Sequence, residues 1–231
     1  MAQRPIFIPF PDQDRLVKEV DVDFEWSPGF APVQKMKNVV ALHESARQIG
    51  YSPLLEVSTK STQKLGLDLS AFNLPVTLDD SHEISLECAF QGSKVFEEGG
   101  PYSELYYKNS IEARRDERLR GSGKLVGFNF QGMDFPTEPK TAFYDWLYLN
   151  ALARNEEIIL GLEEYVGFTD IEFNPNKSIN CQARSCALCV SLRKKGVMFE
   201  AIKSPQAFIA ATQSDGLRQP HSSKSRQQEL F

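Results

Sequence analysis

The chain has 231 residues, of which 41% are apolar and 25% are charged, so it is long and apolar enough to form one sizeable core. Its net charge of −5 excludes a global basic field for nucleic acid and leaves only a local basic patch for such contacts. No run of residues reaches the length of a transmembrane helix, and the N-terminus lacks the long apolar core of a signal peptide. We therefore expect a cytoplasmic protein that has no membrane contact and keeps its cysteines reduced.

The first fifty residues predict an N-terminal elaboration made of a strand and a helix. Apolar and acidic residues alternate over 20–26, which is the period of a half-buried strand. Residues 33–50 have the pattern of an amphipathic helix that ends at a glycine. We expect residues 51–212 to form the main domain. Residues 213–231, which are polar and poor in aromatic side chains, predict a disordered tail.

The main domain mixes helices with short strands. An excess of helix over a few strands indicates a helix-rich α+β fold in a single domain. The patterns predict strands within 53–61, 69–78, 121–130 and 168–173. They predict helices from residue 85 to the break at Gly99-Gly100-Pro101, and over 102–120, 141–155, 156–165 and 178–195.

A polar stripe interrupts the helix predicted from residue 85. Glu87, Gln91 and Lys94 recur at i, i+4 and i+7, so they share one helix face at 3.6 residues per turn. Apolar residues such as Phe90 and Phe96 lie around them. The stripe is either a solvated face or a site that handles a polar ligand.

Two further sets of polar residues lie in apolar segments. Asp145-Trp146 stands in TAFYDWLYLNAL, where the indole packs in the core or stacks on a flat ligand. Asp170 and Glu172 belong to the strand predicted over 168–173. Alternate strand residues point to one side, so these two carboxylates repel unless they are exposed or neutralised by a cation.

The cysteines favour a core role over a metal site. Cys181, Cys186 and Cys189 form a C-x4-C-x2-C pattern, but structural zinc needs four ligands and the nearest downstream histidine, His221, lies in the polar tail. The surrounding sequence, SCALCVSL, is apolar, as around buried free thiols. We expect no metal.

These residues, taken in order along the chain, resemble the motifs of the NADAR (YbiA-like) family, whose members act on N-glycosides of ribose and ADP-ribose. The resemblance covers residues 55–195. It rests on Leu69-Ser70-Ala71-Phe72 for the family's L-S-N-F, on Glu87, Phe90, Gln91 and Lys94 for E-[HY]-x-[FY]-Q-x-x-K, on Asp145-Trp146 for its D/N-W pair and on Asp170-Ile171-Glu172 for its L-V-E strand.

Two departures from the family pattern concern the site. Ala71 replaces an asparagine, and NPNKSINCQARS (174–185) replaces the segment in which the family has a third catalytic acid, so that Lys177 stands at that position. Other stretches, among them VKEVDVDFEW and FTDIEFNPNKSINCQA, are most similar to one subgroup. Its members are antitoxins encoded beside DarT-type toxins that ADP-ribosylate guanine in DNA.

The resemblance implies an antitoxin glycohydrolase that removes ADP-ribose from guanine bases of DNA. We expect the DNA to be single-stranded and the reaction to need no cofactor. It implies that a lysine forms a Schiff base with the opened ribose while a carboxylate moves protons. Its partners are then ADP-ribosylated DNA, the product ADP-ribose and a genetically linked DarT-type toxin. We expect the catalytic residues to be Lys94, Glu87, Glu172 and Asp170. We expect the ligand-binding residues to be Trp146, Gln91, Phe72, Ser70, Ser58 and Lys60.

Alternatives from other classes stay open. A non-catalytic module that binds ADP-ribose or the toxin needs ligand contacts but no amine at the anomeric carbon, so Glu87 and Lys94 separate it from the enzyme. A protein that only binds DNA would use a basic patch. The candidate cations are Arg114, Arg115, Arg118, Arg120 and Lys124, but acidic residues lie between them, as on a solvated helix.

Overall fold

A computed structural model of the chain describes residues 1–12, 15–29 and 31–216. The strands are β1 (Ala2–Pro9), β2 (Val17–Phe24), β3 (Leu54–Glu56), β4 (Pro75–Thr77), β5 (Glu83–Ser85), β6 (Lys94–Phe96), β7 (Leu125–Phe130), β8 (Met133–Phe135) and β9 (Gly167–Thr169). The helices are α1 (Pro32–Gln48), α2 (Lys64–Asp68), α3 (Leu86–Gly92), α4 (Ser110–Arg114), α5 (Arg118–Gly121), α6 (Ala142–Leu152), α7 (Glu156–Leu162), α8 (Gln182–Lys194), α9 (Met198–Ala201) and α10 (Pro205–Gly216), with a 3-10 helix at Ser103–Tyr107. The predicted helix-rich α+β class is confirmed.

The largest sheet joins the two N-terminal strands to β3 and β9 from the main domain. Its strand order is β2-β1-β9-β3, with β1 antiparallel to both neighbours and β3 parallel to β9. Strand β1 was not predicted, since Pro5 and Pro9 are unfavourable for a strand inside a sheet. Through β1 the sheet includes residues from both sides of the boundary expected at residue 50. That residues 51–212 form a domain of their own stays a prediction.

Two smaller sheets and the helices α6 and α8 enclose the main core. Strands β6, β7 and β8 pair antiparallel, and β4 and β5 form a separate hairpin. Helix α6 is buried along almost its whole length because its sequence is apolar on every side. Helix α8 packs against α6, β1 and β9. Burial of these faces is the main source of stability for the walls of the cavity described below.

Polar side chains end several elements earlier than their periodicity predicts. The single helix predicted over 102–120 is wrong. The Asn109 side chain accepts the amide of Glu112 and caps α4, and the Asp116 side chain accepts that of Arg118 in a turn that precedes α5. The strand predicted over 168–173 ends at Thr169 because the Asp170 carboxylate accepts the next amides and closes a turn.

The first residues of the predicted C-terminal tail belong to a helix. Residues 213–216 belong to α10, which corrects the expected start of the tail, and residues 217–231 lie outside the described residues. None of the helices described for residues 1–12, 15–29 and 31–216 is both long and apolar enough to cross a bilayer.

Candidate active site

A cavity of about 280 Å³ opens where α3, the end of β9 and the segment 174–180 meet. Its wall combines an aromatic floor with carboxylates, amides and two cationic side chains. The predicted site residues that line it are Ser70, Phe72, Glu87, Gln91, Asp170 and Glu172.

Helix α3 contributes a carboxylate and an amide to the cavity. Ser85 caps the helix by accepting the amide of Cys88, and the apolar residues of the helix hold it in the core. Glu87 is only 8% exposed and its Oε1 accepts a hydrogen bond from Gln91 Nε2 at 3.0 Å. The Arg114 guanidinium lies 4.0 Å from the same oxygen. Both carboxylate and amide are therefore held in fixed orientations.

Lys94 does not lie on this helix, so the predicted common helix face is wrong for that residue. The helix ends at Gly92, where a Cβ would meet the Tyr106 ring at 2.5 Å, and Lys94 begins β6 opposite Phe128. The side chain still returns toward Glu87. The close packing of α3 on the following strand, rather than helical periodicity, brings the two residues together.

The Lys94 amine is buried directly behind the cavity floor. The residue is 1% exposed, and its Nζ lies 4.9 Å from the centroid of the Phe90 ring. Burial lowers the pKa of the amine to about 8; the Glu87 carboxylate opposes this shift and the Arg114 charge adds to it. Phe90, Glu87 and Arg114 all line the cavity, so Lys94 is one side chain away from it.

The opposite wall carries a group of carboxylates. Asp170 Oδ1 accepts the backbone amides of Glu172 at 3.0 Å and Phe173 at 3.2 Å. Burial raises the pKa of Asp170 to about 8, and the nearby Glu56 carboxylate raises it further. Glu172 is half exposed, with Lys35 Nζ at 4.0 Å. Asp170 and Glu172 thus line one cavity from a turn, not from one side of a strand as predicted.

Glu56 is a second buried carboxylate, which the sequence analysis did not identify. It is 2% exposed at the end of β3, and burial raises its pKa to about 7. Ser58 Oγ and Thr169 Oγ1 donate to it at 2.6 Å, and the Ile171 amide donates at 2.9 Å. The sequence feature that could have identified Glu56 is an acid within the apolar run Leu54-Leu55-Glu56-Val57, since a charge on a buried strand requires partners.

The Glu56 network continues to a neutral histidine. Because the Thr169 hydroxyl donates to Glu56, its oxygen accepts the hydrogen of His43 Nε2 at 2.8 Å. Burial lowers the pKa of His43 to about 4, so the ring is neutral at pH 7. Every hydrogen bond in this network is therefore satisfied when Glu56 is ionised.

Four predicted site residues lie elsewhere than on the cavity surface. Lys94 lies behind the floor. Trp146 packs against Phe135 in the core and donates its Nε1 hydrogen to the Ile202 carbonyl at 2.9 Å. Ser58 and Lys60 do not line the cavity in the part of the chain that the structure describes, although their neighbour Thr59 does.

Sequence reasoning also missed cationic and amide residues of the cavity wall. Arg114, from the charged segment, and Lys177, at the position of the family's third acid, both line the cavity. Gln182 and Asn180 line it too, from the start of α8 and the segment before it. Asp145, by contrast, binds Arg184 and Ser185 at 2.6 Å, away from the lining residues.

The three late cysteines lie in the main core, as predicted. Cys181, Cys186 and Cys189 are buried free thiols. The Tyr148 hydroxyl is 3.4 Å from Cys186 Sγ, and Cys189 Sγ contacts Met198 Sδ at 3.5 Å. Burial raises the pKa of all three thiols, which keeps them protonated and unreactive.

The fold and the site define a helix-rich α+β protein with a buried lysine behind an acidic cavity. A family model described as the DarT1-associated NADAR antitoxin matches residues 2–222. The chain belongs to this family of antitoxins, which confirms the predicted resemblance and extends it beyond residues 55–195. A search of curated proteins found no match.

Proposed function

We propose that this antitoxin is a glycohydrolase that removes ADP-ribose from guanine bases of single-stranded DNA. The observation that carries the proposal is the Lys94 amine, made partly neutral by burial and held beside Glu87 behind the cavity floor. At pH 7.4 a pKa of about 8 leaves roughly a fifth of the amine neutral, against roughly one in a thousand for an ordinary lysine. A neutral amine is the nucleophile that an aminal carbon requires.

The reaction begins by opening the ribose ring. The anomeric carbon of the attached ADP-ribose is bonded to the oxygen of its own ribose ring and to the exocyclic nitrogen of guanine. Asp170, which burial keeps protonated, gives its proton to the ring oxygen as the bond between carbon and oxygen breaks. The nitrogen lone pair then forms a cationic imine with the anomeric carbon.

Lys94 next exchanges its amine for guanine. The Nζ lone pair forms a bond to the anomeric carbon, and Glu87 moves a proton from Nζ to the guanine nitrogen. Guanine leaves with the electrons of its bond to carbon, which yields a protonated imine between Lys94 and ribose. For this step the flexible stem of Lys94 carries the amine past the Phe90 ring into the cavity.

Water completes the cycle. It adds to the imine carbon while Glu87 accepts its proton, and the resulting carbinolamine collapses to the aldehyde of ADP-ribose as Lys94 leaves with a proton. The sugar aldehyde then closes to its ring form. Overall, one water is consumed and guanine in DNA is restored. No step needs a cofactor.

The cationic wall suits the diphosphate of the same substrate. Arg114 and Lys177 are the positive side chains that line the cavity within the described residues. Guanidinium and ammonium groups bind phosphate oxygens by charge-assisted hydrogen bonds. We assign the diphosphate to these two residues.

The test uses a single-stranded oligonucleotide that carries ADP-ribose on one guanine. The protein should release free ADP-ribose and return the unmodified oligonucleotide in equal amounts, and Glu87→Gln should not. Release of ADP-ribose from a duplex and from an RNA of the same sequence compares the substrate classes. Binding of the modified strand without release would overturn the proposal in favour of a non-catalytic ADP-ribose or toxin-binding module.

A further inference from the structure

Two carbonyl oxygens in the cavity wall have no hydrogen-bond donor among the residues that the structure describes. They are Gln91 Oε1 and Asn180 Oδ1, both buried from solvent and without a partner within the described residues. Both residues line the cavity. A buried amide oxygen without a donor is costly, so a bound ligand or water has to supply the missing hydrogen.

The orientation of the Gln91 amide follows from its neighbour. Gln91 is 3% exposed on α3, and its Nε2 donates to Glu87 Oε1 at 3.0 Å. A carboxylate only accepts hydrogen bonds, so the nitrogen must face Glu87 and the oxygen must face away from it. The amide therefore presents a fixed acceptor one helical turn from the proton-transferring residue.

Asn180 lies on a wall that is fastened to the rest of the fold. Gln182, two residues later, accepts the amide of Ala71 at 2.7 Å and donates to the Val57 carbonyl at 2.6 Å. Ser178 Oγ donates to the backbone carbonyl of Asn180 at 3.2 Å. These bonds hold the segment across from α3, so its acceptor position is built into the fold.

We propose that Gln91 and Asn180 accept hydrogen bonds from the hydroxyl groups of the ribose that Lys94 attacks. This inference rests on the proposed function and assigns the substrate's sugar to two residues, one of which, Asn180, lies in the segment that departs from the family pattern. Phosphate oxygens carry no hydrogen to donate at neutral pH, so the diphosphate does not fit these acceptors. The ribose stays bound throughout both chemical stages, whereas guanine leaves after the first, so contacts to the sugar hold the imine in place for water.

The experiment measures binding of the product rather than turnover. Calorimetry with the full chain compares ADP-ribose with two analogues, each lacking one hydroxyl next to the anomeric centre of the distal ribose. The wild-type protein should bind at least one analogue about tenfold more weakly than ADP-ribose, because a buried acceptor is then left without its donor. Asn180→Ala and Gln91→Met should bind ADP-ribose more weakly, and each should lose discrimination against one analogue.

Asn176→Ala is the matched control, since this exposed asparagine lies in the same segment. It should behave as wild type, and thermal melting of every variant verifies folding. Equal wild-type affinity for ADP-ribose and both analogues, or full discrimination by Asn180→Ala and Gln91→Met, would overturn the inference. Loss of turnover with unchanged discrimination would assign the acceptors to guanine N–H groups and overturn it too. Discrimination in binding without release of ADP-ribose from oligonucleotide would instead refute the proposed function alone.

Discussion

Two pairs of buried ionisable residues lie beside the cavity. One pair combines opposite charges, and the other combines like charges. On the α3 side, Lys94 is buried beside Glu87, whose opposite charge partly restores the protonated amine. On the β9 side, Asp170 is buried beside Glu56, whose like charge adds to the effect of burial. Burial favours the neutral form in both cases, so it raises the neutral fraction of the amine on one side and of the acid on the other.

Hydrogen bonds decide which acid of the second group holds the proton. Glu56 receives three donors, two of them hydroxyls at 2.6 Å, and these stabilise its charge. Asp170 receives two longer bonds from backbone amides. The Arg4 guanidinium interacts with the charge of Asp170 and is itself partly desolvated. Of the Glu56–Asp170 pair, Asp170 therefore holds the proton, and Asp170 is the member that lines the cavity.

The largest effect should come from removing the amine of the first group. Lys94→Ala should lower kcat/KM by about 10³-fold or more, because the nucleophile is lost. Lys94→Arg should fail equally, since a guanidinium stays protonated. Release of ADP-ribose from the modified oligonucleotide measures both, and the exposed Lys124→Arg serves as control. Activity within tenfold of wild type for Lys94→Ala would contradict the role assigned to the first group, because the buried amine would then have no chemical role.

Glu87→Gln should lower kcat by about 10²-fold at pH 7.5 because proton transfer to guanine and from water is lost. The amide keeps nearly the same shape beside Gln91, so circular dichroism and melting temperature should stay close to wild type. Removing the carboxylate should also lower the pKa of Lys94, since its charge raises that pKa. Normal turnover would exclude Glu87 from the mechanism.

The sequence predicted the elements and residues that local patterns determine. Helices α1, α6 and α8 and the order of Glu87, Gln91, Asp170 and Glu172 follow from periodicity and motif. Glu56 and Asn180 were missed because their roles arise from partners far along the chain, such as Thr169 for Glu56. The position of Lys94 was wrong for a related reason: the helix ends where Gly92 meets Tyr106, a tertiary contact without a local signal.

The pH profile distinguishes the two groups. The pKa values of Lys94 and Asp170 are both about 8, so the rate should rise as Lys94 loses its proton and fall as Asp170 loses its own, with a maximum near pH 8. Glu56→Gln removes the like charge and lowers the pKa of Asp170. If that pKa falls by about one unit, the pH of maximal rate should move down by about half a unit and the maximal rate should fall. Glu44→Gln, on the exposed side of α1, is the control, and an unmoved pH of maximal rate in Glu56→Gln would separate Glu56 from Asp170.

A smaller effect should appear in stability. The pKa of Asp170 is raised in the folded state, so its contribution to stability is present below the unfolded pKa and is lost as pH rises toward about 8. Asp170→Asn should therefore raise the free energy of unfolding by about 1 kcal/mol or more at pH 9 and change it little at pH 4. Asparagine Oδ1 still accepts the two amides of the turn. Urea denaturation at both pH values measures the difference, and equal changes at both would contradict the raised pKa.

Borohydride trapping tests the central claim most directly. Added during turnover of the modified oligonucleotide, borohydride should reduce the imine and leave ADP-ribose covalently fixed on the peptide that contains Lys94, as identified by mass spectrometry. Lys94→Ala should give no adduct. An adduct on Lys60, Lys140 or Lys177 would move the nucleophile to another residue. No adduct, together with an active Lys94→Ala, would contradict the account and indicate direct attack by a water that Glu87 activates.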